Sequence, residues 1–187
     1  KRGIEFDASQ FELVGTPMQD NFVLGVAKST GVTDVGKWLV SKQVVKFGGI
    51  ASGTGSDDVP NILKTTIGLP LQLVTGYKGT SEIRLAFNGG EVSGVSISWE
   101  SAKSTWRKEV ESGEMAIVLQ GNTKSEPELT KVPVSINFAK ANEAKKFMQI
   151  VLQAHGPGVR PFVLPPSTPK DRVQMLRQAF IDTMKDP

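Results

Sequence analysis

A run of small residues is the first stretch of the sequence that has the groups needed to bind a ligand. The segment IASGTGSDDVPN, residues 50–61, carries Ser52, Gly53, Thr54, Gly55 and Ser56 between an apolar stretch and a helical pattern. A turn of small residues at a helix N-terminus presents backbone N–H groups and hydroxyls, which suit a carboxylate. The segment therefore predicts an anion site.

Two acidic residues, Asp57 and Asp58, follow that run directly and leave a second interpretation open. In it, Ser56 is a plain N-cap and the aspartates complement the helix dipole, each contributing about 0.3–1 kcal/mol. If the aspartates instead face a ligand, they repel a dicarboxylate and favour a ligand that carries an amine or is a neutral amide. We expect them to point sideways, because Ser56 and the backbone groups alone can hold an anion.

Known catalytic and nucleotide-binding motifs are incomplete in this chain. No third glycine follows Gly53 and Gly55 at the spacing of a dinucleotide fingerprint, and the Gly-Lys-Ser/Thr of a P-loop is missing. His155 is the single histidine and there is no cysteine, so a typical zinc site cannot form. There is no G-x-S-x-G nucleophile elbow. We therefore predict no catalytic residue, no metal site and no cofactor.

Two further junctions between strand and helix patterns carry side chains that could meet a ligand. In TGYKGTSE, Lys78 could neutralise an anion and Tyr77 could stack or donate, next to Gly79. The alternative for this junction is helix capping by one of the two hydroxyl residues that follow Gly79. In SISWES, a strand end presents Ser98 and Trp99.

Apolar strand patterns alternate with helical patterns along the chain. The predicted strands are FVLGVAK, VVKFGGI, LQLVTGY, VSGVSIS and MAIVLQG, with an extended stretch at VRPFVLPP. The predicted helices are TDVGKWLVSK, DDVPNILKTTIG, SEIRLAFNGG, WESAKSTWRKEVES, NEAKKFMQIVLQAHG and TPKDRVQMLRQAFIDTMKD, the last capped by Thr168 with Pro169 at its first position. This order predicts an α/β fold with a mainly parallel sheet and flanking helices. The three junctions would then meet at one rim of the sheet, where such folds bind ligands.

Composition excludes several other classes of protein. The net charge is +3 and the mean hydropathy is −0.16, and no stretch approaches the roughly 20 apolar residues that span a bilayer. The nearest basic cluster, Lys103 with Arg107 and Lys108, is followed at once by three glutamates. That pattern is typical of a solvated helix face, so we predict no nucleic-acid partner.

The order and spacing of several segments resemble the solute-binding receptors of tripartite tricarboxylate transporters, the Bug-type periplasmic binding proteins. The segments are VKFGGIASGTGS, GYKGTSEIRLAFNGGEV, ELTKVPV and VLPPSTPKDRVQMLRQAFIDTMKDP. The resemblance implies a fold like that of type II periplasmic binding proteins, with a cleft between two α/β lobes. It also implies a truncated member, with residues 30–139 as a complete second lobe. Residues 1–29 and 140–187 would be a remnant of the first lobe.

The resemblance also implies a set of ligand-binding residues. The small-residue loop, Ser52 to Ser56, would hold the ligand's carboxylate, and Tyr77, Lys78, Gly79, Ser98 and Trp99 would line the cleft. Met18 and Gln19 would approach the ligand from the first lobe. Members of this family often carry neutral polar residues where this chain has Asp57 and Asp58.

The implied function is non-enzymatic capture of a small carboxylate or amino-acid-like solute. The implied location is the periplasm and the implied partners are membrane transporter subunits, with a homodimer as a further expectation, since an incomplete lobe exposes apolar surface. Two alternatives stay open. One is a small enzyme acting on a carboxylated or phosphorylated substrate, for which Asp57 with Lys78 is the candidate acid–base pair. The other is an interaction module without a ligand.

Overall fold

The computed structural model describes residues 7–17, 20–154 and 161–186. The chain divides into two compact units. The central unit is residues 20–156, and the terminal unit combines residues 1–19 with residues 157–187.

Strands and helices alternate through most of the described chain. The strands are β1 (Glu12–Gly15), β2 (Phe22–Ala27), β3 (Val45–Gly48), β4 (Leu71–Val74), β5 (Gly94–Ser98), β6 (Met115–Gln120) and β7 (Phe162–Leu164). The α-helices are α1 (Val35–Ser41), α2 (Gly55–Ile67), α3 (Thr80–Asn88), α4 (Trp99–Lys103), α5 (Arg107–Glu111), α6 (Asn142–Ala154) and α7 (Lys170–Thr183). Short 3₁₀ turns are Ala8–Gln10, Lys28–Thr30, Pro127–Leu129 and Ser135–Phe138. The five strands predicted for the central unit are confirmed.

A five-stranded sheet in the order β4-β3-β5-β2-β6 forms the centre of the central unit. Strand β3 is parallel to β4 and β5, and β2 is antiparallel to both β5 and β6. Four of the five strands therefore run in one direction, which confirms the predicted mostly parallel α/β sheet. Their carboxyl ends meet at one edge, here called the carboxyl edge.

Apolar side chains cover both faces of this sheet. One buried cluster joins Trp38 of α1, Leu63 of α2 and Met148 of α6 to the sheet. A second cluster, on the opposite face, holds Ile83 of α3 and Trp106. Helices on both faces explain why the strands read as nearly continuous apolar runs.

The predicted helix WESAKSTWRKEVES is two short helices instead, so that prediction was wrong in its length. Ser104, which follows α4, has ψ −78°, and Trp106, which precedes α5, has ψ 14°, so neither continues a regular helix. The break lets the Trp106 ring reach the core, where it is fully buried and meets the edge of Phe87 with 5.3 Å between ring centroids. Burial of a large aromatic outweighs the local preference for one continuous helix.

The terminal unit is a two-stranded antiparallel sheet of β1 and β7 with helix α7. The ring of Phe180 lies directly against Gly15, and Arg177 Nε donates a hydrogen bond to the Leu13 carbonyl oxygen at 2.7 Å. The extended stretch predicted at VRPFVLPP is confirmed in part, as β7 at Phe162–Leu164, while its first two residues lie outside the described part of the chain. Its partner β1 was not predicted.

The start of α7 differs from its prediction by one residue. Pro169 is the N-cap, and Thr168 Oγ1 donates to the Pro165 carbonyl oxygen instead of capping the helix. Among the apolar side chains of this helix, Val173 is buried, whereas Leu176 and Met184 are exposed.

The observed division of the chain differs from the boundaries predicted at residues 30 and 139. Strand β2 belongs to the central unit because it pairs with β5 on one side and β6 on the other. Helix α6 belongs there too, because Met148 and Leu152 complete the first apolar cluster. In the described part of the chain, none of the helices combines the length and the apolar character needed to cross a membrane.

Candidate functional site

Two of the predicted junctions lie side by side at the carboxyl edge. The small-residue loop after β3 and the loop after β4 are joined by backbone hydrogen bonds, from the Gly76 amide to the Ile50 carbonyl oxygen at 3.1 Å and from the Tyr77 amide to the Gly49 carbonyl oxygen at 3.2 Å. The prediction that these two junctions meet at one rim of the sheet is therefore confirmed.

Strand β5 contacts the same loop through a buried serine. Ser96 is fully buried, and its Oγ donates to the carbonyl oxygen of Gly55 at 3.2 Å. A small hydroxyl residue at this point lets the first turn of α2 lie close to the sheet while one of its carbonyl groups is satisfied.

Phe22, at the start of β2, is a neighbour of the loop that the sequence reading missed. Its ring lies so close to Gly55 that a Cβ atom there would overlap it. Its backbone amide donates to Asn122 Oδ1 at 3.1 Å. Residues 22 and 55 are far apart in the chain, and the only signal in the sequence is that an aromatic residue begins a strand that reads as buried.

The cap of α2 is Thr54, not Ser56 as predicted. Thr54 has extended dihedral angles, and its carbonyl oxygen accepts from the amides of Asp57 at 3.1 Å and Asp58 at 2.8 Å. Its side chain makes no capping bond to the helix and donates instead to the Ala51 carbonyl oxygen. The helix therefore starts earlier than a cap at Ser56 requires, and Ser56 lies inside it.

The two aspartates turn back into the loop that precedes them. Asp57, 1% exposed, accepts on Oδ2 from the Ile50 amide at 2.6 Å and from Ser56 Oγ at 3.0 Å, and Thr54 Oγ1 lies 3.1 Å from the same oxygen. Asp58 Oδ1 accepts from the Gly53 amide at 3.0 Å. The predicted sideways orientation is wrong, because these carboxylates take up donors that the loop would otherwise offer to a ligand.

Other donors of the same loop keep their capacity to bind. Within the residues that the structure describes, the amides of Gly55 and Ser56 have no hydrogen-bond acceptor, although Gly55 is half-buried and Ser56 is only 4% exposed. Both belong to the first turn of α2, where amides have no intrahelical partner. Ser52 and Gly53 are exposed beside them. The loop is therefore partly filled by its own side chains and partly open.

Tyr77, Lys78 and Gly79 do not add side-chain groups to the small-residue loop. The Tyr77 hydroxyl donates to Glu91 Oε1 at 2.7 Å, and this hydrogen bond raises the pKa of Tyr77 to about 12. The Lys78 side chain is 90% exposed and lies 3.9 Å from Glu82 Oε1. Gly79 is the N-cap of α3, so neither hydroxyl residue after it serves as the predicted cap.

Ser98 and Trp99 occupy the start of α4. Ser98 caps this helix, because its Oγ accepts from the Ser101 amide at 3.2 Å. Trp99 Nε1 donates to Glu128 Oε2 at 2.6 Å, and Lys103 Nζ lies 3.1 Å from the same oxygen. The indole donor and then the ammonium group lower the pKa of Glu128, and Glu100 with Glu128 raises the pKa of Lys103.

Three residues singled out in the sequence cannot be placed. Met18, Gln19 and His155 lie outside the described residues.

A separate groove of about 370 Å³ lies at the opposite, amino edge of the sheet. Its lining includes Gln43, Lys46 and Glu91, and it contains none of the predicted site residues. Its large size alone is no reason to prefer it, since it is a shallow surface feature lined mainly by polar groups.

The fold of this chain is similar to that of periplasmic solute-binding proteins. No family model and no curated protein matches the sequence. Solved structures do match. A TctC solute-binding protein from Polaromonas has a TM-score of 0.70 at 14% identity, over 98% of this chain and 58% of that chain.

Two proteins from Rhodopseudomonas palustris match with ligands in their sites. MatC with bound malate has a TM-score of 0.63 at 16% identity, over 99% of this chain and 59% of that one. A second protein, with adipate, has a TM-score of 0.59 at 17% identity, over 98% of this chain and 71% of that one. These likenesses confirm, at the level of the fold, the resemblance to tripartite tricarboxylate receptors. The chain spans 58%, 71% and 59% of the lengths of these three proteins.

Proposed function

We propose that this chain binds a small carboxylate-containing solute in the periplasm without transforming it. It would deliver the solute to a membrane transporter of the tripartite tricarboxylate type. The observation that carries the proposal is the pair of amides, Gly55 and Ser56, that have no acceptor among the described residues and lie at the carboxyl edge of this fold. Solved structures that share the fold hold malate and adipate.

The open amides suit a carboxylate for a simple electrostatic reason. They point out of the N-terminus of a helix of 13 residues, where the helix dipole favours negative charge. That interaction contributes about 0.3–2 kcal/mol, whereas micromolar affinity requires about 8 kcal/mol. Most of the affinity must therefore come from other contacts. Ser52 and Gly53 are the nearest exposed candidates, and Met18 with Gln19 remain proposed ligand contacts.

No observation favours the enzymatic alternative. Its candidate acid–base pair is Asp57 with Lys78, but Asp57 is buried in hydrogen bonds to its own loop. Lys78 extends into solvent beside Glu82. Neither group is held where it could exchange a proton with a shared substrate.

The same proposal assigns a role to each unit. We take the central unit as the second lobe of a receptor and the terminal unit as part of a first lobe. The membrane subunits of a transporter are then the proposed partners. A homodimer is a further proposal, which rests on exposed apolar side chains of the terminal unit such as Phe162 and Met175.

Amide NMR combined with calorimetry tests the proposal. Malate, adipate, an amino acid and an aromatic acid are titrated into the chain, and product formation is followed by one-dimensional NMR. We expect saturable binding of at least one acid without a product. The amide signals of Gly55 and Ser56 should shift most, and that of Gly31, at the amino edge, should stay unchanged. A folded chain that binds none of the acids, or that converts one, contradicts the proposal.

A further inference from the structure

A buried negative charge lies immediately behind the proposed ligand donors. Asp57 Oδ2 is 3.0 Å from Ser56 Oγ, in a residue whose amide has no acceptor among the described residues. Gly49 packs against the same carboxylate so closely that a Cβ atom there would lie 2.7 Å from Oδ2. The charge is therefore enclosed by its own loop and is 1% exposed.

The groups that surround Asp57 Oδ2 form hydrogen bonds with it but do not cancel its charge. The Ile50 amide and the two hydroxyls, of Thr54 and Ser56, are neutral groups. No lysine or arginine is paired with Asp57 among the described residues. The carboxylate thus offsets the positive end of the α2 dipole, which is the feature that attracts an anion.

We infer that Asp57 determines the charge specificity of the site by disfavouring ligands with more than one negative charge. This inference rests on the proposed function. A carboxylate on the Ser56 amide would lie roughly 5–9 Å from Asp57, given ordinary hydrogen-bond lengths. A negative charge of the ligand at that separation lowers the affinity of the ligand by about twofold to about a hundredfold, depending on how much water screens it from Asp57. The fitting ligand class is a carboxylic acid whose remaining polar groups are neutral, such as a monoamide.

The test compares the full chain with its D57N variant on probes that differ in charge. Succinamate, succinate and tricarballylate carry one, two and three carboxylates on similar carbon skeletons. The side-chain carbonyl oxygen that D57N introduces can still accept from the Ile50 amide, so the loop keeps its main bond while the charge is lost. We expect the wild-type chain to bind succinamate most tightly. In D57N the affinity for succinate should rise about tenfold, that for succinamate should rise less, and that for tricarballylate should rise more.

Asp34→Asn is the matched control. Asp34 is exposed and caps α1, its Oδ1 accepting from the Lys37 amide at 2.7 Å, and asparagine caps a helix equally well. This variant loses one charge at the start of another helix, so its affinities should equal those of the wild type.

A merely structural role for Asp57 predicts a different result. Loosening the loop would lower the affinities for all three probes by a similar factor. That result, or a rise that does not grow with the charge of the probe, overturns the inference. If D57N fails to fold, the wild-type order of affinities decides, and a preference for tricarballylate over succinamate overturns it. If neither folded protein binds any probe or any of the four acids of the first titration, the proposed function fails as well, whereas wild-type binding that prefers multiply charged acids removes only this inference.

Discussion

The carboxylate of Asp57 accepts a hydrogen bond from the backbone amide of Ile50 across the small-residue loop, at 2.6 Å. This bond joins the end of β3 to the first turn of α2 and closes the loop on itself. A charge-assisted bond of this length is a strong one, so the loop is held in shape before any ligand arrives. The site is therefore preorganised, and its geometry depends on the packing around it.

The Phe22–Gly55 contact should be one of the most sensitive points of that packing. In Gly55→Ala, the new Cβ overlaps the Phe22 ring, and either the ring or the start of α2 must move. We expect a loss of about 1–3 kcal/mol in the free energy of unfolding, measured by urea denaturation. Gly79→Ala is the control, since Gly79 is extended and no atom lies within 4 Å of the added Cβ. A variant at Gly55 that is as stable as the wild type would contradict the contact.

The sequence predicted which loops meet but not which way their side chains point. The mainly parallel sheet followed from the alternation of strand and helix patterns, and parallel strands place their carboxyl ends at one edge. The orientation of Asp57 could not be predicted, since its acceptor role depends on where tertiary packing places the Ile50 amide. The break before Trp106 was missed for the same reason. Local propensity favours one continuous helix there, and two short helices are favoured only because the Trp106 ring then packs against Phe87.

Arg84 should contribute to stability through the buried carboxylate of Glu109. Arg84 Nε lies 3.3 Å from Glu109 Oε1, and the Glu109 side chain is 3% exposed. Asn88 Nδ2 donates to the same oxygen at 3.0 Å but carries no charge. Arg84→Met should therefore cost about 2–4 kcal/mol in urea denaturation, because it leaves a buried charge uncompensated.

Arg107→Met provides the comparison for that measurement. Arg107 Nε is only 2.7 Å from Glu111 Oε1, yet both side chains are mostly exposed. Removing such a surface pair should cost less than about 1 kcal/mol. Equal effects of the two substitutions would show that burial of Glu109 does not matter.

The Trp99–Glu128 hydrogen bond predicts a pH dependence on the acidic side. The Trp99 indole and then Lys103 lower the folded-state pKa of Glu128 below its ordinary 4.5. Their stabilising effect is therefore present above pH 4.5 and is lost as the pH falls through the lower, folded-state pKa. The indole N–H signal of Trp99 in NMR should shift with a midpoint below 4.5. In Lys103→Met the midpoint should rise, and a midpoint that stays put would exclude Lys103 as a cause.

Tyr77 predicts a pH dependence on the alkaline side. It is the only tyrosine in the chain, so its titration can be followed without overlap from another tyrosine. The hydrogen bond to Glu91 keeps its proton in place and raises the pKa of Tyr77 from 10.0 to about 12. The stabilisation is therefore complete below pH 10 and is lost as the pH rises towards 12. Tyrosinate absorbance should show a midpoint near 12 in the folded protein, and Glu91→Gln should move it back towards 10. Circular dichroism at each pH separates titration from unfolding. A wild-type midpoint at 10 in the folded chain would mean that the hydroxyl does not donate to Glu91 and is free to face the small-residue loop after all.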